Sequence, residues 1–205
     1  MNPPNICVYC GSSSGRRPEY GRLAEDLGRS IAERGVGLVY GGGRIGLMGI
    51  VADAVLDAGG RVHGVIPGHL VDLEAVHSGL TSLDVVDSMH ERKSKMADLS
   101  SGFIVLPGGF GTFDELFEIL TWNQLGLISK PVVFLDSRVG GSRFFDPLFA
   151  AFDHMMDEGF VNGSTRQILQ RSDSADDAVQ RALAAAPTVV GKLRTLDVTS
   201  KRSLR

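Results

Sequence analysis

Two patterns alternate along the chain. Short unbroken apolar runs are separated by longer stretches in which apolar residues recur every three or four positions. The first run, NICVYC, predicts a strand over 5–13 that ends in the small polar loop GSSSG. Pro18 then opens a helix with Tyr20, Leu23, Leu27 and Ile31 on one stripe, and Gly35 is its natural stop. VGLVYGGG (36–43) predicts a second strand, followed by a helix over 47–58 that ends at Gly59-Gly60. RVHGVIP (61–67) predicts a third strand and, after a polar loop, residues 82–87 a short fourth one. Ser88 begins a helix that runs to Leu99. GFIVLP (102–107) and PVVFLD (131–136) are apolar almost throughout, as strands covered on both faces must be. Between them a helix from Thr112 carries Leu116, Ile119, Leu120, Asn123 and Leu127 at helical spacing, and further helices are predicted over 144–158 and 175–186.

Such alternation predicts an α/β fold of the Rossmann-like class, a parallel sheet with helices on both faces. One domain over 1–187 is expected. The polar, basic stretch 188–205 reads as a flexible tail. Ligands of these sheets bind beyond the carboxyl ends of the strands. GSSSG, GGGRIG and PGGFGT all fall there.

Composition narrows the partners. A net charge of -3 over 205 residues gives no electrostatic reason to expect nucleic acid or an anionic membrane. No apolar run approaches the roughly 20 residues of a membrane span. MNPPNICVYC lacks the regions of a signal peptide, so a cytoplasmic location is expected. Cys7 and Cys10 form a C-x-x-C, but they lie in strand sequence rather than at a helix start, and positions three apart point to opposite faces. Buried core cysteines are the better reading. The five histidines show no metal-ligand spacing, and no metal is expected.

GGGRIG (41–46) has the spacing of a dinucleotide loop, yet it follows the second strand, and no acidic residue ends the next one. Read as a P-loop, it has Leu47 where the lysine belongs. Tight packing accounts for some of these glycines, with Gly42 and Gly43 left as candidate pocket lining beside Ser12 and Met89. In PGGFGT, Gly108, Gly109 and Gly111 would let the backbone approach a ligand, and the helix from Thr112 would aim its free N–H groups at the same place. A monophosphate suits that geometry. Glu115, three residues after Thr112, has the spacing of a helix capping box, so it is either a cap or a carboxylate beside a bound phosphate ester. In SMHERKSKM (88–96), Ser88 and Glu91 have the same capping spacing, and Lys95 is placed to pair with Glu91. Arg92 and Lys93 have no acid three or four residues away. Arg92 shares an inward face with Met89 and Met96, which calls for an anion from elsewhere.

Together MHERK and PGGFGTFDE, with GGGRIGLMG upstream, resemble the Lonely Guy family of cytokinin-activating nucleoside 5′-monophosphate phosphoribohydrolases. The resemblance runs from residue 5 to 187. It implies hydrolysis of the N-glycosidic bond of adenosine monophosphates, favoured when N6 carries an isoprenoid group, to free base and ribose 5-phosphate. It implies Arg92 and Glu115 as the catalytic pair and the loop Gly108, Gly109, Phe110, Gly111 and Thr112 as the phosphate holder. Lys93, Glu74 and Thr121 join the binding set by the same resemblance, and a homodimer with its site near the interface is expected. Relatives have been labelled lysine decarboxylases, but nothing in the sequence supports a pyridoxal phosphate lysine, and no cofactor is expected. The rival readings are a nucleotide- or cofactor-binding carrier, like the molybdenum-cofactor carriers, and a general AMP nucleosidase.

Overall fold

The computed structural model describes residues 3–71, 75–138 and 141–185. Glu74 and the stretch 188–205 lie outside them. Seven parallel strands form one sheet: β1 (Asn5–Tyr9), β2 (Gly37–Tyr40), β3 (Arg61–Pro67), β4 (Ser82–Val86), β5 (Gly102–Val105), β6 (Val132–Leu135) and β7 (Leu169–Ser172). Their spatial order is β4-β3-β2-β1-β5-β6-β7. The helices are α1 (Pro18–Glu33), α2 (Gly46–Asp57), α3 (Met89–Asp98), α4 (Phe110–Leu125), α5 (Asp146–Asp157) and α6 (Ala175–Ala182).

Alternation within the strands sorts the core into two layers. Ile6, Val8, Leu38 and Tyr40 point to the face covered by α1, α2 and α6, where Leu27, Ile31, Val51, Val55 and Val179 are buried. Cys7, Tyr9, Val39, Phe103 and Val105 point to the other face, under Met96 of α3, Leu116 and Ile119 of α4, and Phe149 and Phe152 of α5. Cys7 and Cys10 therefore belong to opposite layers, both buried as free thiols. The predicted α/β arrangement is borne out.

Strand β7 is absent from the pattern in the sequence. It is an edge strand of four residues, and its Gln170 and Arg171 interrupt any apolar run. Tertiary contacts hold it instead. Arg171 lies over the Phe149 ring at 4.4 Å and donates to Asp136 Oδ2 at 3.4 Å and Asp146 Oδ1 at 2.8 Å. Asp136, at the end of β6, also accepts the Phe145 amide at 2.9 Å. Burial raises its carboxyl above the usual range despite these donors.

The α1–α2 contact depends on Gly28. A methyl group there would stand 2.6 Å from Ala54 Cβ and 2.7 Å from the Val51 carbonyl. Overpacking costs about 1–3 kcal/mol, against a helix-propensity gain of about 1 kcal/mol for replacing glycine. Gly28→Ala should therefore lower the urea midpoint of unfolding, and a midpoint at or above wild type would show that the two helices separate without cost.

Candidate active site

Strand order reverses between β1 and β5, so the connections that leave them part to opposite faces and open a crevice. The two exits stay tied. The Leu106 amide donates to the Tyr9 carbonyl at 2.9 Å, and the Gly11 amide to the Pro107 carbonyl at 3.1 Å. A cleft of about 230 Å3 lies over this point. Its walls are Cys10, Gly11 and Ser12 after β1, Met48 of α2, Met89 and Arg92 of α3, and Gly109 to Thr112 with Asp114 and Glu115 at the start of α4. A larger hollow of about 430 Å3 between α1 and α2, with Glu25, Arg29, Asp53 and Asp57 on its walls, is remote from the strand ends. The smaller cleft carries the converging chemistry.

The start of α4 corrects the sequence reading. Gly109, not Thr112, is the N-cap, with φ −103° and no side-chain cap bond. Its carbonyl accepts the Phe113 amide at 3.1 Å, so helical geometry begins at Phe110. Thr112 is the third helical residue and Glu115 stands in the second turn. The capping-box reading of that pair is lost. The amides of Phe110, Gly111 and Thr112 have no acceptor within the helix and sit at the cleft. The glycines differ in role. A Cβ on Gly108 would run into Thr112 Oγ1 and come within 2.9 Å of the Gly11 amide, so Gly108 is required by packing. At Gly109 and Gly111 nothing lies within 4 Å of that position. Their missing side chains leave room at the helix N-terminus, where partial positive charge favours an anion.

GGGRIG does the opposite. The Leu47 and Met48 amides at the start of α2 donate to the Gly11 carbonyl at 3.0 and 3.4 Å, which occupies that helix terminus. Gly42, with φ +84°, and Gly43 are buried, and they follow Gly41, whose carbonyl holds Arg92. Gly46, with φ +67°, abuts the Ser12 backbone. Gly46 serves close packing, and of the residues the sequence offered as pocket lining, Ser12 and Met89 wall this cleft.

On α3, Ser88 Oγ accepts the Glu91 amide at 3.1 Å and Glu91 Oε2 accepts the Asp87 amide at 2.9 Å, which accounts for Glu91 as a cap. Lys95 pairs with Asp84 of β4 at 2.9 Å, a cross-element pair in place of the local one expected with Glu91. Arg92 is only 4% exposed. Its Nη2 donates to the Gly41 carbonyl at 3.0 Å, and Nη1 lies 3.9 Å from Met89 Sδ. Lys93 finds its anions on α4, at Asp114 (3.1 Å) and Glu118 (3.2 Å). Glu115 is half-buried. Burial and then the Glu115 carboxylate hold the Cys10 and Cys7 thiols above their usual range, while Arg92 acts on Cys7 in the opposite sense. Glu115 and Arg92 thus approach one spot, the end of β1, from two helices. Burial and Glu115 favour the protonated form of both thiols, which argues against a redox pair.

Thr121 stands elsewhere. Its hydroxyl donates to the Phe117 carbonyl at 2.7 Å, and it borders an apolar groove between α4 and α5, away from Arg92 and Glu115. Several cleft residues escaped the sequence reading. Gly11 and Asp114 adjoin motif residues and were accessible from that adjacency. Cys10 and Met48 carry no local signal for a site. Next to the cleft, across Gly108 and Gly109, a hollow of about 220 Å3 is walled by Ser13, Ser14, Tyr20 and Phe144, the last two packed edge to face at 6.0 Å.

Residues 48–182 match the family model described as "Possible lysine decarboxylase". The chain is 49% identical over 165 residues, 80% of its length and 81% of the relative's, to the cytokinin riboside 5′-monophosphate phosphoribohydrolase of Rhodococcoides fascians. It is 46% identical over 174 residues (85% of this chain, 70% of the relative) to the enzyme of that name, LOG, from Oryza sativa subsp. japonica. Among solved structures, the molybdenum cofactor binding protein from Rippkaea orientalis superposes with a TM-score of 0.65 at 19% identity, over 88% of this chain and 95% of that one. That likeness concerns the fold. The relatives at 46–49% identity extend over most of both chains, and the chain belongs to the Lonely Guy family of cytokinin riboside 5′-monophosphate phosphoribohydrolases.

Proposed function

We propose that this protein hydrolyses the N-glycosidic bond of N6-modified adenosine 5′-monophosphates, releasing the free cytokinin base and D-ribose 5-phosphate. The observation that carries the reading is the convergence of Glu115, Arg92 and the open N-terminus of α4 on one cleft at the strand-order reversal. The phosphate sits on the Phe110, Gly111 and Thr112 amides, in the room left by Gly109 and Gly111. Cleavage passes through an oxocarbenium-like state with positive charge on the ribose. The Glu115 carboxylate stabilises that charge and orients or deprotonates the attacking water. Arg92 does not act as an acid, because guanidinium keeps its proton in proteins. Held by Gly41, it offers its fork to the phosphate, the ribose or Glu115. A cytoplasmic location belongs to the same reading, as suits an enzyme of nucleotide monophosphates.

The reading includes a homodimer. It is supported by the apolar groove of Phe117, Thr121 and Gln124 on α4 against Phe152, Met155 and Met156 on α5, where Phe117 and Met155 are exposed. In a dimer packed on that groove, Thr121 serves the interface rather than its own cleft. Phe117→Lys should shift the sedimenting species to monomer; an unchanged dimer would place the interface elsewhere.

Incubation with AMP and with N6-isopentenyl-AMP, followed by chromatography, should show free base and ribose 5-phosphate from both and faster release from the second. No release from either substrate would make the protein a carrier. Glu115→Gln should lose about 10²–10⁴-fold in kcat with nucleotide binding kept, and wild-type turnover would remove Glu115 from the chemistry.

The two kinds of glycine give a separate check. Gly111→Ala should keep the melting temperature and raise KM, because its methyl group enters the open cleft. Gly108→Ala should lower both stability and activity. Equal KM in wild type and Gly111→Ala would move the phosphate away from α4.

A further inference from the structure

The resemblance counts Lys93 among residues that bind substrate, but the structure gives its ammonium other work. Its side chain is 13% exposed and runs between two carboxylates, Asp114 and Glu118. Those acids are four residues apart, hence on one face of α4, and Glu115 adjoins the first of them. The charges outweigh desolvation: burial pulls the Lys93 pKa down, yet the bonds to Asp114 and Glu118 leave it raised. Lys93 is also absent from the cleft wall, where its neighbour Arg92 and its partner Asp114 both appear.

From this placement we infer that Lys93 is a positioning residue, a clamp from α3 to α4 that sets Arg92 against Glu115 and neutralises the two acids flanking the catalytic carboxylate. The inference rests on the phosphoribohydrolase reading. Arg92 and Glu115 come from different helices, so their separation depends on how α3 lies along α4. At the far end of the same pair, Lys130 Nζ bonds the Ala97 carbonyl at 2.7 Å and its amide bonds Asn123 Oδ1 at 3.1 Å, tying the end of α3 to the end of α4. At the catalytic end the tie is Lys93. Two converging acids hold it more firmly than one exposed pair would, because each fixes a different direction of the flexible lysine stem. The clamp also bears on substrate charge. Without the ammonium, Asp114 and Glu118 would add two negative charges near an anionic phosphate, and a like charge within several ångströms disfavours its binding.

A phosphate ligand and a clamp respond differently when the acids are removed. In Asp114→Asn/Glu118→Gln, Lys93 is retained but has lost its carboxylate partners. A clamp then loses about tenfold to a hundredfold in kcat, since a displacement of about 1 Å at reacting groups costs that much, with KM within about threefold of wild type. Lys93→Met should show a similar fall in kcat. Added to the acid-free background it should cost little more, because the interaction is already gone. Lys93→Arg, which can keep both pairs, should hold kcat within about threefold of wild type. The kinetics use N6-isopentenyl-AMP, with urea midpoints confirming that each variant is folded.

Full kcat in the acid-free variant, or additive losses in the combined one, would overturn the clamp and restore Lys93 as a substrate ligand. Should Lys93→Met fail to fold, the acid-free variant and Lys93→Arg still decide. Absence of product from the wild-type protein would instead defeat the phosphoribohydrolase reading, an outcome separate from any difference among variants.

Discussion

Everything at the site depends on the reversal of strand order between β1 and β5. Neighbouring parallel strands usually send their connections to the same face, where the following helices pack side by side. At the reversal, β1 leads to α1 on one face and β5 leads to α4 on the other, and the cleft opens between them. The bond from Gly11 to the Pro107 carbonyl keeps the two exits together while the chains diverge. The gap is thus a consequence of topology, and the loops need only decorate it.

Two glycine-rich loops reach this edge with opposite results. The loop before α2 brings a helix terminus close enough to Gly11 for its carbonyl to take up the first amides, and the glycines allow that approach. In the loop before α4, only Gly108 is used for packing, and the amides beyond it remain at the cleft. A buried helix terminus needs some partner for its N–H groups. At α2 the partner is the protein's own backbone. At α4 a small anion fits the same requirement, and the positive end of the helix favours it.

Much of this was legible in the sequence. Paired apolar runs and helical stripes specify the doubly covered sheet, because both patterns report local geometry directly. Ser88 and Glu91 mark a helix start by chemistry that acts within one turn, and the structure bears out that pairing. Three kinds of feature were hidden. Strand β7 is held by Arg171 against Phe149 and Asp136, residues distant in sequence. The partners of Lys93 and Lys95 lie on other elements, and spacing along one helix cannot register them. Whether a glycine admits a neighbour or leaves a gap depends on what the fold brings opposite it, so Gly42 and Gly111 look alike in sequence and differ in the molecule.

The role of Glu115 turns on a shift of three residues in one helix boundary. Threonine is a preferred N-cap and glycine a tolerated one, so composition puts the start at Thr112 and leaves a capping role open to Glu115 beside a role in the site. The backbone at Gly109 is already extended with its carbonyl accepting from Phe113, which moves the start to Phe110. Glu115 then falls beyond the first turn, too far along the helix to serve the N-cap amide. Glu115 there shares the cleft wall with the end of β1, Arg92 from α3 and the first residues of α4. Its influence on Cys7 and Cys10 is what a charge held over the strand end would exert. The same short helical extension that removes the capping role leaves Glu115 on the wall of the cleft, so a spacing that looks like a cap in the sequence becomes part of that wall in the fold.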